Sequence, residues 1–272
     1  MNRGRVGERF VLAVIVLSVG LFLLLSCGGG SGDADISAAL APQRHDLLYG
    51  YFNAGDDIAG VSDHVNVIFE QGWGNGSSVQ HLMQAQAQGI PHAILAVDWR
   101  HPGVMRFQFD SLRAANVLQM VIALYPQDEP DLTGGGTDGL QPMSDAEVLA
   151  MIATVRATAA EFPALADVNL AVIYSNSGRT PGISGYDWVG RDDYGRGPQI
   201  VQITAGQKLI LVPGGANPWK ESPDAFIQYA GLHEEVVAII PFLWTWPDGR
   251  LGGICDNGLA PAYRAAGVAI TH

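Results

Sequence analysis

Eight short apolar runs punctuate the chain after its first forty residues. They are DLLYGYF near 46–52, HVNVIF near 64–69, HAILAVD near 92–98, VLQMVIALY near 117–125, VNLAVIY near 168–174, YDWVG near 186–190, KLILVP near 208–213 and VVAIIPFLW near 236–244. Most are continuous rather than alternating, which is the pattern of strands covered on both faces. Helical periodicity fills several of the gaps. SSVQHLMQAQAQG follows the second run and stops at Gly89. FDSLRAAN follows the third. SDAEVLAMIATVRATAAEF follows the fourth, with Ser144 as N-cap and Glu147 three residues on to complete a capping box. SPDAFIQYAGLHEE follows the seventh, with Ser222 as cap and Pro223 in the first helical position. APAYRAAG follows the eighth. The links after strands 1, 5 and 6 are short or irregular.

Eight strands with intervening helices predict a single α/β domain, a (β/α)8 TIM barrel with helices short or missing after strands 1, 5 and 6. A doubly wound open sheet is the alternative. The first strand, however, is followed by YFNAGDD and not by a Gly-rich phosphate loop. GGGTDG at 134–139 is expected to be a surface loop in the fourth strand–helix connection.

Ligand sites of such barrels lie at the C-terminal ends of the strands. These ends carry acids and large aromatic residues. Five of the six tryptophans (Trp73, Trp99, Trp219, Trp244, Trp246) fall at or just past a strand end, and Trp188 lies inside strand six. A sugar packs its C–H face on a flat ring and directs its hydroxyls to carboxylates and amides. Tyr51, Trp99, Tyr125, Tyr174, Asn176, Trp219, Trp244 and Trp246 are therefore the candidate substrate-binding side chains. Asp98, Asp128, Glu129, Asp192 and Asp193 are the candidate catalytic acids, in a site that takes no cofactor and no metal. Asn53, Asp56, Asp57, Glu70 and Asp248 are further polar groups at strand ends.

The most specific stretch is LYPQDEPDL at 124–132. Its Asp128-Glu129-Pro130 resembles the Asn-Glu-Pro or Asp-Glu-Pro stretch after strand four of (β/α)8 glycoside hydrolases, especially the large retaining clan. The resemblance implies that Glu129 is a general acid/base, which needs a carboxyl kept protonated near neutral pH. Asp128 supplies a neighbouring charge that raises its proton affinity. Pro130 fixes the turn that aims it inward. The sequence departs from the clan at strand seven, which ends LILVPGGANPW and offers no acid before Glu221, read as the start of the next helix. The partner carboxylate must then come from Asp192, Asp193 or Asp98. Two carboxyls roughly 5–5.5 Å apart fit a retaining enzyme, and roughly 6.5–9.5 Å an inverting one. The expectation is a hydrolase of glycosidic bonds. A non-catalytic glycan-binding barrel is one alternative. A metal-dependent hydrolase is another, in which the acids would suit Ca²⁺ or Mg²⁺. The seven histidines show no H-x-H or H-E-x-x-H spacing. There is no G-x-S-x-G, and Ser175 in YSNSG lacks the nucleophile turn.

Charge and the N-terminus complete the picture. The formal net charge is −12, a poor surface for nucleic acid. Arg3, Arg5 and Arg9 precede FVLAVIVLSVGLFLLL, a basic start and apolar run that read as a secretory signal. Leu24-Leu25-Ser26-Cys27 resembles the bacterial lipobox, which implies cleavage before Cys27 and lipidation of its thiol. An uncleaved anchor helix is the alternative. The predicted organisation is a signal peptide over 1–26, a lipid-anchored tether over 27–43 and a monomeric barrel over 44–272. Gly28 is not an inner-membrane retention acid, so the lipid is expected in the outer membrane of a Gram-negative envelope. No disulfide framework is then expected, and Cys255 reads as a packed small side chain.

Overall fold

The computed structural model describes residues 44, 46–52, 54, 57–71, 77–132, 141–245 and 252–272. The leader, Cys27 and the tether lie outside the described residues, as do Asn53, Asp56, Trp73, the GGGTDG stretch, Trp246 and Asp248. The strands are β1 (Leu48–Tyr49), β2 (Val67–Glu70), β3 (His92–Ala96), β4 (Val121–Tyr125), β5 (Asn169–Tyr174), β6 (Trp188–Arg191), β7 (Lys208–Leu211) and β8 (Val236–Ile239). All seven pairings along the order β1-β8-β7-β6-β5-β4-β3-β2 are parallel. Phe52, just past β1, bridges Phe69 of β2 in parallel and brings the two edges together. The fold is a single (β/α)8 barrel.

The helices are α1 (Ile58–Val61), α2 (Ser77–Ala87), α3 (Pro102–Ala114), α4 (Asp145–Ala159), α5 (Asp224–Leu232) and α6 (Ala260–Thr271). The links after β5 and β6 hold no α-helix, only a 3-10 turn at Ile183–Gly185, and α1 after β1 has one turn. The capping box of α4 is formed: Ser144 Oγ accepts from the Glu147 N–H, and Glu147 Oε2 accepts from the Ser144 N–H at 2.7 Å. Two helix starts differ from the sequence reading. Helix α3 begins at Pro102, ahead of the periodic FDSLRAAN, because proline is pre-set for a first helical turn. Helix α5 begins at Asp224, and Pro223 is its cap, its carbonyl accepting from the Phe226 and Ile227 N–H groups at 3.0 Å.

The continuous apolar runs divide by parity into two buried layers. Leu48, Val67, Phe69, Ile94, Ala123, Tyr125, Ile173, Trp188 and Ile210 fill the barrel interior. Their neighbours Tyr49, Ile68, Leu95, Leu124, Tyr174, Val189 and Leu209 face outward and pack with Leu82 of α2, Phe109 of α3, Met151 and Val155 of α4, Phe226 of α5 and Tyr263 of α6. Both faces of each strand are dry, so the sequence does not alternate. The same parity continues past the strand ends and decides which polar residues reach the mouth.

Candidate active site

The stretch after β4 is held in an uncommon conformation. The Glu129 N–H donates to the Ile173 carbonyl at 3.1 Å, while Asp128 pairs with Ile173 as an isolated parallel bridge. Glu129 has φ of +39°, and the Leu132 N–H closes a turn onto its carbonyl at 3.0 Å. A left-handed residue with a Cβ costs about 1–2 kcal/mol. The restraint that offsets this comes from Asp131, which is buried. Its carboxylate accepts from the Ser175 N–H at 2.9 Å, from Ser175 Oγ at 2.7 Å and from Ser177 Oγ. Asp131 was not among the sequence candidates, and its partners lie 44 and 46 residues away. Asp131→Ala is expected to cost about 3 kcal/mol, since it leaves a buried N–H and two hydroxyls without their charged acceptor. Urea unfolding measures this, and a loss below about 1 kcal/mol would show that the clamp is not what holds the turn.

Three carboxyls meet at the mouth. Asp192 lies four residues beyond Trp188 and two beyond Gly190, on the inward parity of β6. Its carboxyl is hydrogen-bonded to that of Glu129. Asp192 Oδ2 also accepts from the Tyr194 hydroxyl at 3.0 Å, while Oδ1 is buried and has no protein donor. Asp128 Oδ1 accepts from the Tyr125 hydroxyl at 2.5 Å. Burial, followed by the charges of Glu129 and Asp128, pushes the Asp192 carboxyl up to about 9. Burial and then the Asp128 charge raise Glu129, and burial raises Asp128. Among the described residues no Lys, Arg or His side chain pairs with any of the three. Two carboxyls hydrogen-bond only if a proton lies between them, so at neutral pH the Glu129–Asp192 pair carries one.

The other candidate acids are engaged elsewhere. Asp193, on the opposite parity, binds Arg196 Nη1 at 3.1 Å and accepts from Asn176 Nδ2 at 3.4 Å. Asp98 accepts from the Arg100 N–H at 3.2 Å and contacts His101 Nδ1 at 2.8 Å. It lines a separate pocket of ≈ 170 Å³ with Trp99 and Gln127, and the Arg100 guanidinium lies 4.9 Å from the Trp99 ring centre. Glu70 is turned outward and buried, accepting from Ser78 and contacting His81 Nδ1 at 2.7 Å. Among the described residues no group of three His, Cys, Asp or Glu side chains could hold a metal ion. None of the described helices is long and apolar enough to cross a membrane.

The aromatic candidates separate in the same way. Tyr51, Tyr174 and Trp244 belong to the outer layer and are buried between sheet and helices, away from the mouth. The Tyr51 hydroxyl meets His64 Nε2 at 3.1 Å, Tyr174 donates to the Pro181 carbonyl at 2.9 Å, and Trp244 Nε1 donates to Asp57 Oδ2 at 2.9 Å. Trp219 is 36% exposed and packs on Tyr194 with ring centres 4.6 Å apart. Tyr194 stacks on Phe242 at 5.1 Å and 18°. The band continues through Phe52 and Phe69 to Tyr125. Tyr194 and Phe242 were not among the candidates. The signal for Tyr194 was its spacing of two from Asp192; Phe242 lay hidden inside an apolar run.

At the end of β7 the inward position is Gly214. A Cβ there would lie 2.6 Å from Cβ of Tyr194. Glu221 does not start a helix: Oε2 accepts from the Gly214 N–H at 2.6 Å and Oε1 from the Gly197 N–H at 2.7 Å, clasping the β6–β7 link to β7.

No protein-family model matches the chain, and no curated protein does. Solved structures do resemble it. A β-glycosidase, BGL167, superposes with a TM-score of 0.50 at 12% identity, over 80% of this chain and 85% of that one. What the two share is the fold, a barrel of eight parallel strands. The catalytic domain of a GH26 endo-β-1,4-mannanase from Bacillus sp. JAMB-750 gives 0.49 at 13% identity, covering 82% and 85% of the two chains. An oxaloacetate acetylhydrolase gives 0.45 at 12% identity, covering 81% and 80%. At such identities the likeness concerns the fold, and the chemistry has to be argued from the side chains at the mouth.

Proposed function

We propose that the barrel hydrolyses glycosidic bonds of an oligo- or polysaccharide, with Glu129 as general acid/base and Asp192 as the carboxyl that shares its proton. The observation that carries this reading is the hydrogen-bonded Glu129–Asp192 pair beside the exposed Trp219 and its aromatic band. A leaving glycosidic oxygen needs a carboxylic acid at neutral pH, and this pair retains a proton there. Trp219 offers the flat face on which a sugar packs.

Carboxyls within hydrogen-bonding reach are closer than the roughly 5–9.5 Å of working glycosidase pairs. Substrate must therefore part them. The shared proton leaves on Glu129 and passes to the glycosidic oxygen as the C–O bond breaks. Asp192, ionised by that transfer, takes a proton from the water that adds to the sugar and restores it to the pair. The leader pattern and Cys27 support an outer-membrane lipid anchor, which would place a monomeric enzyme outside the cytoplasm.

A second reading, a glycan-binding barrel without catalysis, is favoured by Gly214, since the strand-seven acid of the retaining clan is missing. One experiment separates the two. A panel of α- and β-linked glycans is incubated with residues 44–272, reducing ends are counted, and binding is followed by calorimetry. Release of reducing ends supports hydrolysis, binding without release supports the second reading, and neither event sinks both.

A further inference from the structure

The side chain missing at the end of β7 is replaced in space by one from the preceding link. Gly214 is the inward residue there, and a Cβ on it would lie 2.6 Å from Cβ and 3.0 Å from Cδ1 of Tyr194. Only a residue without a side chain leaves room for that ring. Phe242 stacks on one side of it at 5.1 Å, Trp219 lies against it at 4.6 Å, and the Glu221 clasp anchors the link to β7. The hydroxyl so placed donates to Asp192 Oδ2 at 3.0 Å. Oδ1 is buried and has no hydrogen-bond donor in the protein. We propose that Tyr194 is a positioning residue: from the space opened by Gly214 its hydroxyl occupies one oxygen of Asp192 and turns the other, with the shared proton, toward Glu129. This rests on the hydrolase reading for its consequence in turnover, but the positioning itself can be tested without it.

Tyr194 donates to the ionised form of Asp192, so removing the hydroxyl makes proton loss harder. In the intact protein labelled with ¹³C at the aspartate carboxyls, Tyr194→Phe keeps the stacked ring. It is expected to raise the titration midpoint of Asp192 by about half a pH unit or more, one hydrogen bond's worth. Gly214→Ala, which drives a methyl group into Tyr194, is expected to move the midpoint in the same direction. If the glycan panel shows hydrolysis, the alkaline limb of the pH–rate profile rises with it and kcat falls at least tenfold, with KM changed less than threefold. A midpoint that stays at the wild-type value in Tyr194→Phe overturns the proposal. Absence of hydrolysis with a shifted midpoint overturns the hydrolase reading and leaves the positioning role standing.

Discussion

Glu129→Gln is expected to lower kcat by about 10²–10⁴-fold, the usual contribution of a positioned general acid, while glycan affinity changes less than about threefold. Gln has the shape of Glu and the same backbone, so the left-handed turn at residue 129 and its bond to Ile173 should survive. What it lacks is a transferable proton. Its amide can still donate to Asp192, so the cluster should stay assembled. Turnover and calorimetric binding, measured together on one glycan, check the prediction. A variant that still cleaves at a tenth of the wild-type rate would remove Glu129 from the mechanism.

Asp192→Asn is expected to act in the opposite direction on stability. An unfolded aspartate ionises near 3.8, whereas in the fold burial and the neighbouring charges push Asp192 up to about 9. Between those values the folded state retains a proton that the unfolded state has released. Stability associated with this group is therefore complete below about 3.8 and declines as pH rises toward 9. Asn accepts from Tyr194 and donates to Glu129 without that cost. At pH 8 the variant should be more stable by about 2 kcal/mol. Near pH 4 the gain should vanish. Denaturant unfolding at pH 4, 6 and 8 tests it; a gain that does not vary with pH would mean no proton is shared. This is the expected trade between a functional site and the fold that carries it.

The strands were legible because each is a dry run ended by turn residues, and their number alone dictated the barrel. The inward parity was not legible. Runs buried on both faces look the same in either phase, so Tyr51, Tyr174 and Trp244 counted as mouth residues although they belong to the outer layer. Once the phase is known from Trp188, Asp192 is assigned inward and Asp193 outward by counting. Asp-Glu-Pro was visible because its three residues are contiguous. Asp131 was not, since its meaning lies in two serines on the next strand's loop. Glu221 was misread because an acid ahead of a helical pattern suggests a helix start, whereas here it closes a loop through two backbone N–H groups.

The pairing of Gly214 with Tyr194 also constrains how this mouth can change by descent. An acid at position 214 would have to enter where Tyr194 already stands, at 2.6 Å from its Cβ. Any residue at 194 except glycine keeps that Cβ, and glycine there takes the donor from Asp192. Neither order of substitution passes through an intermediate with both supports intact. An acid at the end of strand seven is thus more than one substitution away from this arrangement.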